Sequence, residues 1–170
     1  MAEHALGVEV VTPEAALFAG PAVALVTATS EGDLTVMADH AELIGDVVPG
    51  VVKIENLDGE IIEILVHSGF LQVTTSAGAA KGIVDGVQDG DRTTRATILA
   101  GVAEKVNEID VAAAQEAKAD AEARIADLKS SGRNDDHEEL SNGYLALAQA
   151  EADLAMAELR LATARPLAMG

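Results

Sequence analysis

The chain predicts a two-part fold: an N-terminal antiparallel β-sandwich or flattened barrel followed by a C-terminal antiparallel α-helical hairpin. Three observations carry this. Up to about Leu99 the apolar residues fall in short, β-branched runs separated by Gly and Asp. From Asp110 to Pro166 the chain is Ala-rich and nearly free of β-branched residues. That stretch is broken once, at Ser130-Ser131-Gly132. The expected division is a β domain over 1–105, carrying an insertion at about 76–94, and a hairpin domain over 106–170, joined near Val106–Asp110.

The elements follow in order. Leu6–Val11 alternates around Gly7 and Glu9 and reads as a first strand. Pro13-Glu14 turns the chain, and Ala16–Phe18 leads into Gly20-Pro21. Ala22–Thr29 is a second strand, followed by the turn Ser30-Glu31-Gly32-Asp33 and the strand Leu34–Met37. His40–Val48 is apolar and irregular. Pro49-Gly50 opens Val51–Glu55, where Val52 and Ile54 face one way and Lys53 and Glu55 the other. Leu57-Asp58-Gly59 is a hairpin signal, because Asp-Gly supplies the positive φ angles of a tight primed turn. Ile61–Val66 and Phe70–Thr74 read as two strands joined at Ser68-Gly69, and Thr97–Ala100 as the last.

Between Ser76 and Thr94 the alternation fails, and Gly78, Gly82, Gly86 and Gly90 recur among Asp85, Asp89 and Asp91. Carboxylates on Gly-permitted turns suit calcium, but the spacing matches no EF-hand loop, and a Gly-x-x-x-Gly helix face needs a more apolar setting. An exposed, flexible insertion is expected. Asp110 is a good N-cap for a helix through about Lys129, with Val111, Ala114, Ala117, Ala121, Ile125 and Leu128 as its inner stripe. Asp135-Asp136-His137-Glu138-Glu139 opens the second helix, its carboxylates at the positive end of the dipole; this cluster reads as a cap and not as a metal site. Leu145, Ala148, Ala152, Ala155, Leu159 and Ala162 are the expected inner face of that helix. Ala contacts bury little area each, at about 25 cal/mol per Å², so the hairpin is expected to be weakly held.

Composition narrows the function. Apolar content of 49% supports a folded chain. Phe18, Phe70 and Tyr144 are the only aromatics, so no platform for stacking bases or sugars exists. A net charge of −18, with 4 basic against 15 acidic residues in 1–103 and 7 against 14 in 104–170, argues against a nucleic-acid partner. Such acidity suits solubility or a salty or acidophilic source. With no cysteine, disulfides, thiol catalysis and Cys-based metal sites are excluded. The start Met1-Ala2-Glu3-His4 lacks the basic residues and apolar stretch of a signal peptide, and no run reaches the length of a spanning helix. An intracellular chain, or one peripheral to something larger, is expected. An enzyme finds no support: there is no phosphate-binding Gly-Lys-Ser/Thr loop, and His4, His40, His67 and His137 are scattered. A free-standing adaptor with a mobile helical hairpin is the alternative that composition leaves open.

The residues resemble the ε subunit of the bacterial-type rotary ATP synthase. The resemblance rests on Val8-Glu9-Val10-Val11-Thr12-Pro13-Glu14, Leu17-Phe18-Ala19-Gly20, Ser30-Glu31-Gly32-Asp33-Leu34, His40-Ala41-Glu42-Leu43-Ile44, Pro49-Gly50, Ser68-Gly69-Phe70-Leu71-Gln72-Val73, Thr97-Ile98-Leu99-Ala100 and Ile109-Asp110. Their order and spacing cover nearly the whole chain. Departures are Ala38, Asp39 and Glu42 around His40, where the family has Pro and Gly before the histidine and Pro after it, so this loop need not keep the usual shape.

The resemblance implies a non-catalytic central-stalk subunit that turns with the rotor of a proton-translocating synthase, peripheral to the cytoplasmic face of the cell membrane. The β domain would bind the γ subunit and rest on the c-ring, with Glu31, Gly32, Asp33, His40 and Leu43 near those contacts. His40 is equally well read as a satisfied loop histidine, and Gly32, Gly50 and Gly69 as turn requirements. The hairpin would reach the β subunit of the catalytic head and hinder hydrolysis, with Arg160 and Arg165 as its basic contacts and Glu151, Asp153 and Glu158 opposing them. Relatives that bind ATP carry an Ile/Leu-Asp-x-x-Arg-Ala motif at the start of the first helix. Here Ala113 stands in the arginine's place, which removes the guanidinium best suited to phosphate, so no cofactor is expected.

Overall fold

The computed structural model describes residues 5–131 and 137–164. Its strands are β1 (Leu6–Val11), β2 (Ala16–Ala22), β3 (Ala24–Thr29), β4 (Gly32–Val36), β5 (Leu43–Val47), β6 (Gly50–Glu55), β7 (Ile61–Ala77) and β8 (Arg92–Lys105). A 3-10 turn at Val106–Glu108 leads to helices α1 (Val111–Ser131) and α2 (His137–Thr163). The chain divides into two units, Met1–Val106 and Asn107–Gly170.

The strand order is β2-β1-β8-β7-β6-β3-β4, with β5 also pairing with β7. Long β7 explains how one sheet becomes two layers. Its first part, Ile61–Val66, pairs with β6, while Gly69–Val73 pairs with β5 on the same side. Opposite both runs β8, with register shifts between Val66 and Ser68 and between Ser68 and Gly69. These bulges bend the two strands so that each passes from one layer to the other. Between the layers lies a core of Leu6, Val8, Val10, Leu25, Ile54, Ile64, Leu71 and Ile98, all at most 2% exposed.

Several boundaries differ from the sequence expectation, for physical reasons. Ser68-Gly69 is not a turn between two strands but the bulge inside one. There the chain needs glycine for space: a Cβ on Gly69 would lie 2.5 Å from the Leu99 carbonyl oxygen and 3.1 Å from Ala100 Cα. Gly20-Pro21 lies inside β2 because β2 is an edge strand, where the missing proline N–H costs no ladder bond. Ala22–Thr29 is two strands, because the chain leaves the partner of Leu6 at Ala22 and joins that of Glu55 at Ala24. The stretch around Leu43–Val47, read as irregular, is β5. It alternates with Leu43 and Val47 inward and Ile44 and Asp46 outward, but apolar Ile44 outside and Gly45 inside hide the period. One pairing, β1 with β8, is parallel, with the rest of the β unit serving as the long crossover that parallel neighbours require.

The insertion is shorter than expected, since β7 runs to Ala77 and β8 starts at Arg92, and it is more than a loose excursion. Positive φ at Gly78, Gly82 and Gly86 makes it a series of turns and excludes a helix face. Ala80 is fully buried, and its amide donates to Thr93 Oγ1 at 2.8 Å. A Cβ on Gly7 would lie 3.0 Å from that of Ala80 and 3.1 Å from that of Ile83, so the insertion rests on β1 at its one residue without a side chain.

In the second unit, Asp110 caps α1 as expected, its Oδ1 accepting from the Ala113 amide at 3.0 Å. The helix runs on to Ser131, two residues beyond the expected end; Gly132, Asp135 and Asp136 lie outside the described residues. Of the expected α1 stripe, Ala114 and Ala121 are buried and Ile125 and Leu128 half-buried, while Val111 and Ala117 are exposed. The face expected for α2 is corrected. Leu145 is 73% exposed, Ala148, Ala152, Ala155 and Ala162 are exposed, and only Leu159 is half-buried. The buried residues are instead Ala150 and Ala157, flanked by half-buried Leu147, Leu154 and Leu161. The two helices thus meet with alanine at seven-residue intervals on each, Ala114 and Ala121 facing a seam of Ala150 and Ala157.

Gly69→Ala should destabilise the β unit by about 1–3 kcal/mol, as overpacking against a backbone atom does. Denaturant unfolding checks this: an unchanged midpoint would mean that β8 can move aside freely at Leu99.

Candidate functional site

The turn between β3 and β4 is built by short-range hydrogen bonds. Thr29 Oγ1 donates to the Gly32 carbonyl at 2.8 Å and accepts from the Glu31 amide at 3.2 Å. Gly32 takes φ 123°, a conformation that side-chain-bearing residues rarely adopt. Across from it, Ser30 Oγ donates to Asp46 Oδ1 at 2.8 Å, tying the turn to β5. Between them lies a groove of about 560 Å³ lined by Thr29–Leu34 and Leu43–Asp46. Glu31, Gly32 and Asp33 are thus brought together with Leu43, and the groove carries the carboxylates of Glu31, Asp33 and Asp46.

His40 is not part of this groove. Its amide donates to the Met37 carbonyl at 3.2 Å, its carbonyl accepts from Thr75 Oγ1 at 2.7 Å, and its Nδ1 lies 2.8 Å from the Ala41 carbonyl oxygen. The Asp39 amide donates to Thr94 Oγ1, and the Thr75 amide to Glu42 Oε1. The loop is therefore fastened to β7 and to the start of β8. Asp39, at φ 63°, holds a left-handed backbone without being glycine.

A surface that sequence reasoning missed lies on the outer face of β5, β7, β8 and β1. Pairing aligns Asp46, Phe70, Leu99 and Val11 in one row and Ile44, Gln72, Thr97 and Glu9 in the next. Ile44, Phe70 and Leu99 are 77%, 63% and 51% exposed. A polar edge is set by Glu9, whose Oε2 accepts from Arg95 Nε at 3.1 Å and from Thr97 Oγ1 at 3.4 Å. The next position of β1 on that face is Gly7, where the insertion rests. An apolar group rimmed by charge is the form of a protein-binding surface. Its signal was present in the sequence: Phe70 and Leu99 occupy outward positions of strands whose inward positions are also apolar.

On the hairpin, Arg160 is half-buried and lines a groove of about 530 Å³ with Asp120, Arg124, Asp127, Asp153 and Met156. Arg165 lies outside the described residues. The acids Glu158, Asp153 and Glu151 are each paired with a base of α1: Lys118 Nζ at 3.0 Å, Arg124 Nη2 at 2.7 Å and Lys129 Nζ at 3.7 Å. Among the described residues no group of His, Asp or Glu is placed to hold a metal ion. No helix of the described residues is long and apolar enough to cross a membrane.

Hydrogen bonds from Arg124 and then Gln149 hold the Asp153 carboxyl below its ordinary value, and the bond to Glu158 raises Lys118 above its own. A lowered carboxyl stabilises the fold above its unfolded value of 3.8, and this is lost as pH falls through the folded value. A raised amine stabilises below 10.5, and this is lost as pH rises through the folded value. Helix content should therefore stay level between these limits and decline beyond both, followed by circular dichroism of the full chain. A decline centred near neutrality would show that other groups dominate.

Residues 5–77 match the family model described as "ATP synthase, Delta/Epsilon chain, beta-sandwich domain", which ends where β7 ends. The ATP synthase epsilon chain of Alkalilimnicola ehrlichii is 31% identical over 149 residues, covering 88% of this chain and 89% of that one. That of Pelotomaculum thermopropionicum is 32% identical over 126 residues, covering 74% and 80%. In fold, the chain is similar to one in the Euglena gracilis mitochondrial ATP synthase, with a TM-score of 0.53 at 20% identity, covering 94% of this chain and 82% of that chain. Over both units, the chain belongs to the ATP synthase epsilon chain family.

Proposed function

We propose that the chain is a non-catalytic rotor subunit of the central stalk of a proton-translocating ATP synthase, held at the cytoplasmic face of the membrane through the complex. The observation that carries this is the likeness to epsilon chains over 88% of the chain, sandwich and hairpin together. A free-standing adaptor with a β domain and a helical hairpin, unrelated to ATP synthesis, gives no reason for that likeness.

The β unit offers two surfaces of different character, which suits a subunit gripped between two partners. The outer-face patch of Ile44, Phe70 and Leu99 is suited to burial against a protein subunit, and we assign it to γ. The groove of Glu31, Gly32, Asp33 and Leu43 is polar and acidic, and we assign it to the exposed loops of the c-ring. His40 acts behind these surfaces by anchoring its loop on Thr75. The hairpin is the arm that hinders hydrolysis by reaching the β subunit of the catalytic head, through Arg160 and Arg165. At Ala113 no guanidinium is available, and the backbone amide is used in capping α1, which supports a hairpin that works without bound ATP.

Phe70→Glu should abolish co-purification with γ while leaving the fold intact, because the side chain is 63% exposed. Retention of γ by this variant would move the contact elsewhere. Removing everything after Asp110 should raise ATP hydrolysis by the assembled enzyme severalfold. An unchanged rate would remove the inhibitory role and leave the stalk role standing.

A further inference from the structure

The cross-helix ion pairs have an order that the alanine seam does not require. From the start of α1 to its end, Lys118, Arg124 and Lys129 meet Glu158, Asp153 and Glu151 in turn, as antiparallel helices dictate. These three are all the basic residues that α1 contains. The three acids flank the residues of α2 that face α1, and the opposite face of α2 (Leu145, Ala148, Ala152, Ala155 and Ala162) is apolar yet exposed. Alanine content alone therefore does not select which face of α2 meets α1. The face that meets α1 carries half-buried Leu147, Leu154 and Leu161 beside its alanines, and its flanking acids reach the bases of α1.

We infer that the three pairs form an ionic latch that selects the closed hairpin and sets how readily its helices part. When the latch opens, Lys118 and Lys129 on one flank of the seam and Arg124 on the other lose their partners on α2, while Lys118 keeps Glu122 within its own helix. The consequence for the enzyme rests on the reading of the hairpin as a regulatory arm; the latch itself is a property of the free chain. The physical balance favours such a device. The fully buried seam is alanine on both helices, and Ile125, Leu128, Leu147, Leu154 and Leu161 beside it are only half-buried, so the apolar area that resists separation is modest. The pairs are partly exposed, with side-chain exposures between 34% and 60%, so they are open to screening by salt.

The chain has no cysteine, so Gln115→Cys and Ala162→Cys, both at exposed positions, give two unique spin-label sites at the N-terminal end of α1 and the C-terminal end of α2. Pulsed electron resonance on the full chain then reads the distance between the helices. Raising NaCl from about 0.01 M to about 1 M, which shortens the screening length from about 30 Å to about 3 Å, should increase the separated fraction about tenfold, the scale expected of three partly exposed pairs acting together. Lys118→Glu, Arg124→Glu and Lys129→Glu together should separate the helices at low salt. Adding Glu158→Lys, Asp153→Lys and Glu151→Lys should close them again. A distance indifferent to salt and to reversal overturns the latch, and so does a reversed-charge chain that the second set of substitutions fails to close. Neither result depends on the chain's entering a rotary complex, which co-purification with γ tests separately.

Discussion

The close approach of β7 and β8 at Gly69 is the constraint on which the rest of the β unit depends. With a Cβ position 2.5 Å from the Leu99 carbonyl oxygen, no side chain fits there without moving backbone. The bulges beside it let both strands cross between layers, so β5 and β6 share one side of β7. The same crossing sets which residues of β7 and β8 point outward. Leu71 and Ile98 enter the core, and Phe70 and Leu99 are left side by side on the surface. The geometry that closes the sandwich thus also creates the exposed apolar pair on its outer face.

The two units are built by different means. The β unit has fully buried Leu, Ile and Val from six strands, each contributing far more area than alanine. The helical unit buries alanine at its seam and adds ion pairs at the flanks. Large buried side chains make one arrangement much better than its alternatives, whereas small ones leave alternatives close in energy. That difference in residue size is what the proposed reading of the hairpin as a movable arm rests on.

How much of this was legible in the sequence depended on local uniqueness. Strand β1 was read to the residue, because Leu6, Val8 and Val10 alternate with Gly7 and Glu9 and nothing competes with that pattern. Asp110 was read as a cap because its chemistry has one use there. Strand β2 was missed because Pro21 denies a central strand, and only topology reveals that β2 lies at an edge. The face of α2 was misread because apolar spacing is satisfied twice; the face that packs carries Leu147, Leu154 and Leu161 beside Ala150 and Ala157, and its acids find partners on another helix. In the candidate site, the Glu31–Asp33 turn and Leu43 were expected near partner contacts, and the structure shows only that they line one groove. Phe70 and Leu99 were not, since an apolar residue in a strand signals core until pairing shows which way it points.

Native-state hydrogen exchange on the full chain tests the contrast between platform and arm most directly. Amides of β7 and β8 around Leu71 and Ile98 should exchange at least about a hundredfold more slowly than those of α1 and α2 around Ala121 and Ala157, because the helices open locally while the sandwich opens only globally. Equal protection in the two units would contradict the picture, since it would make the hairpin as firmly held as the core that carries it.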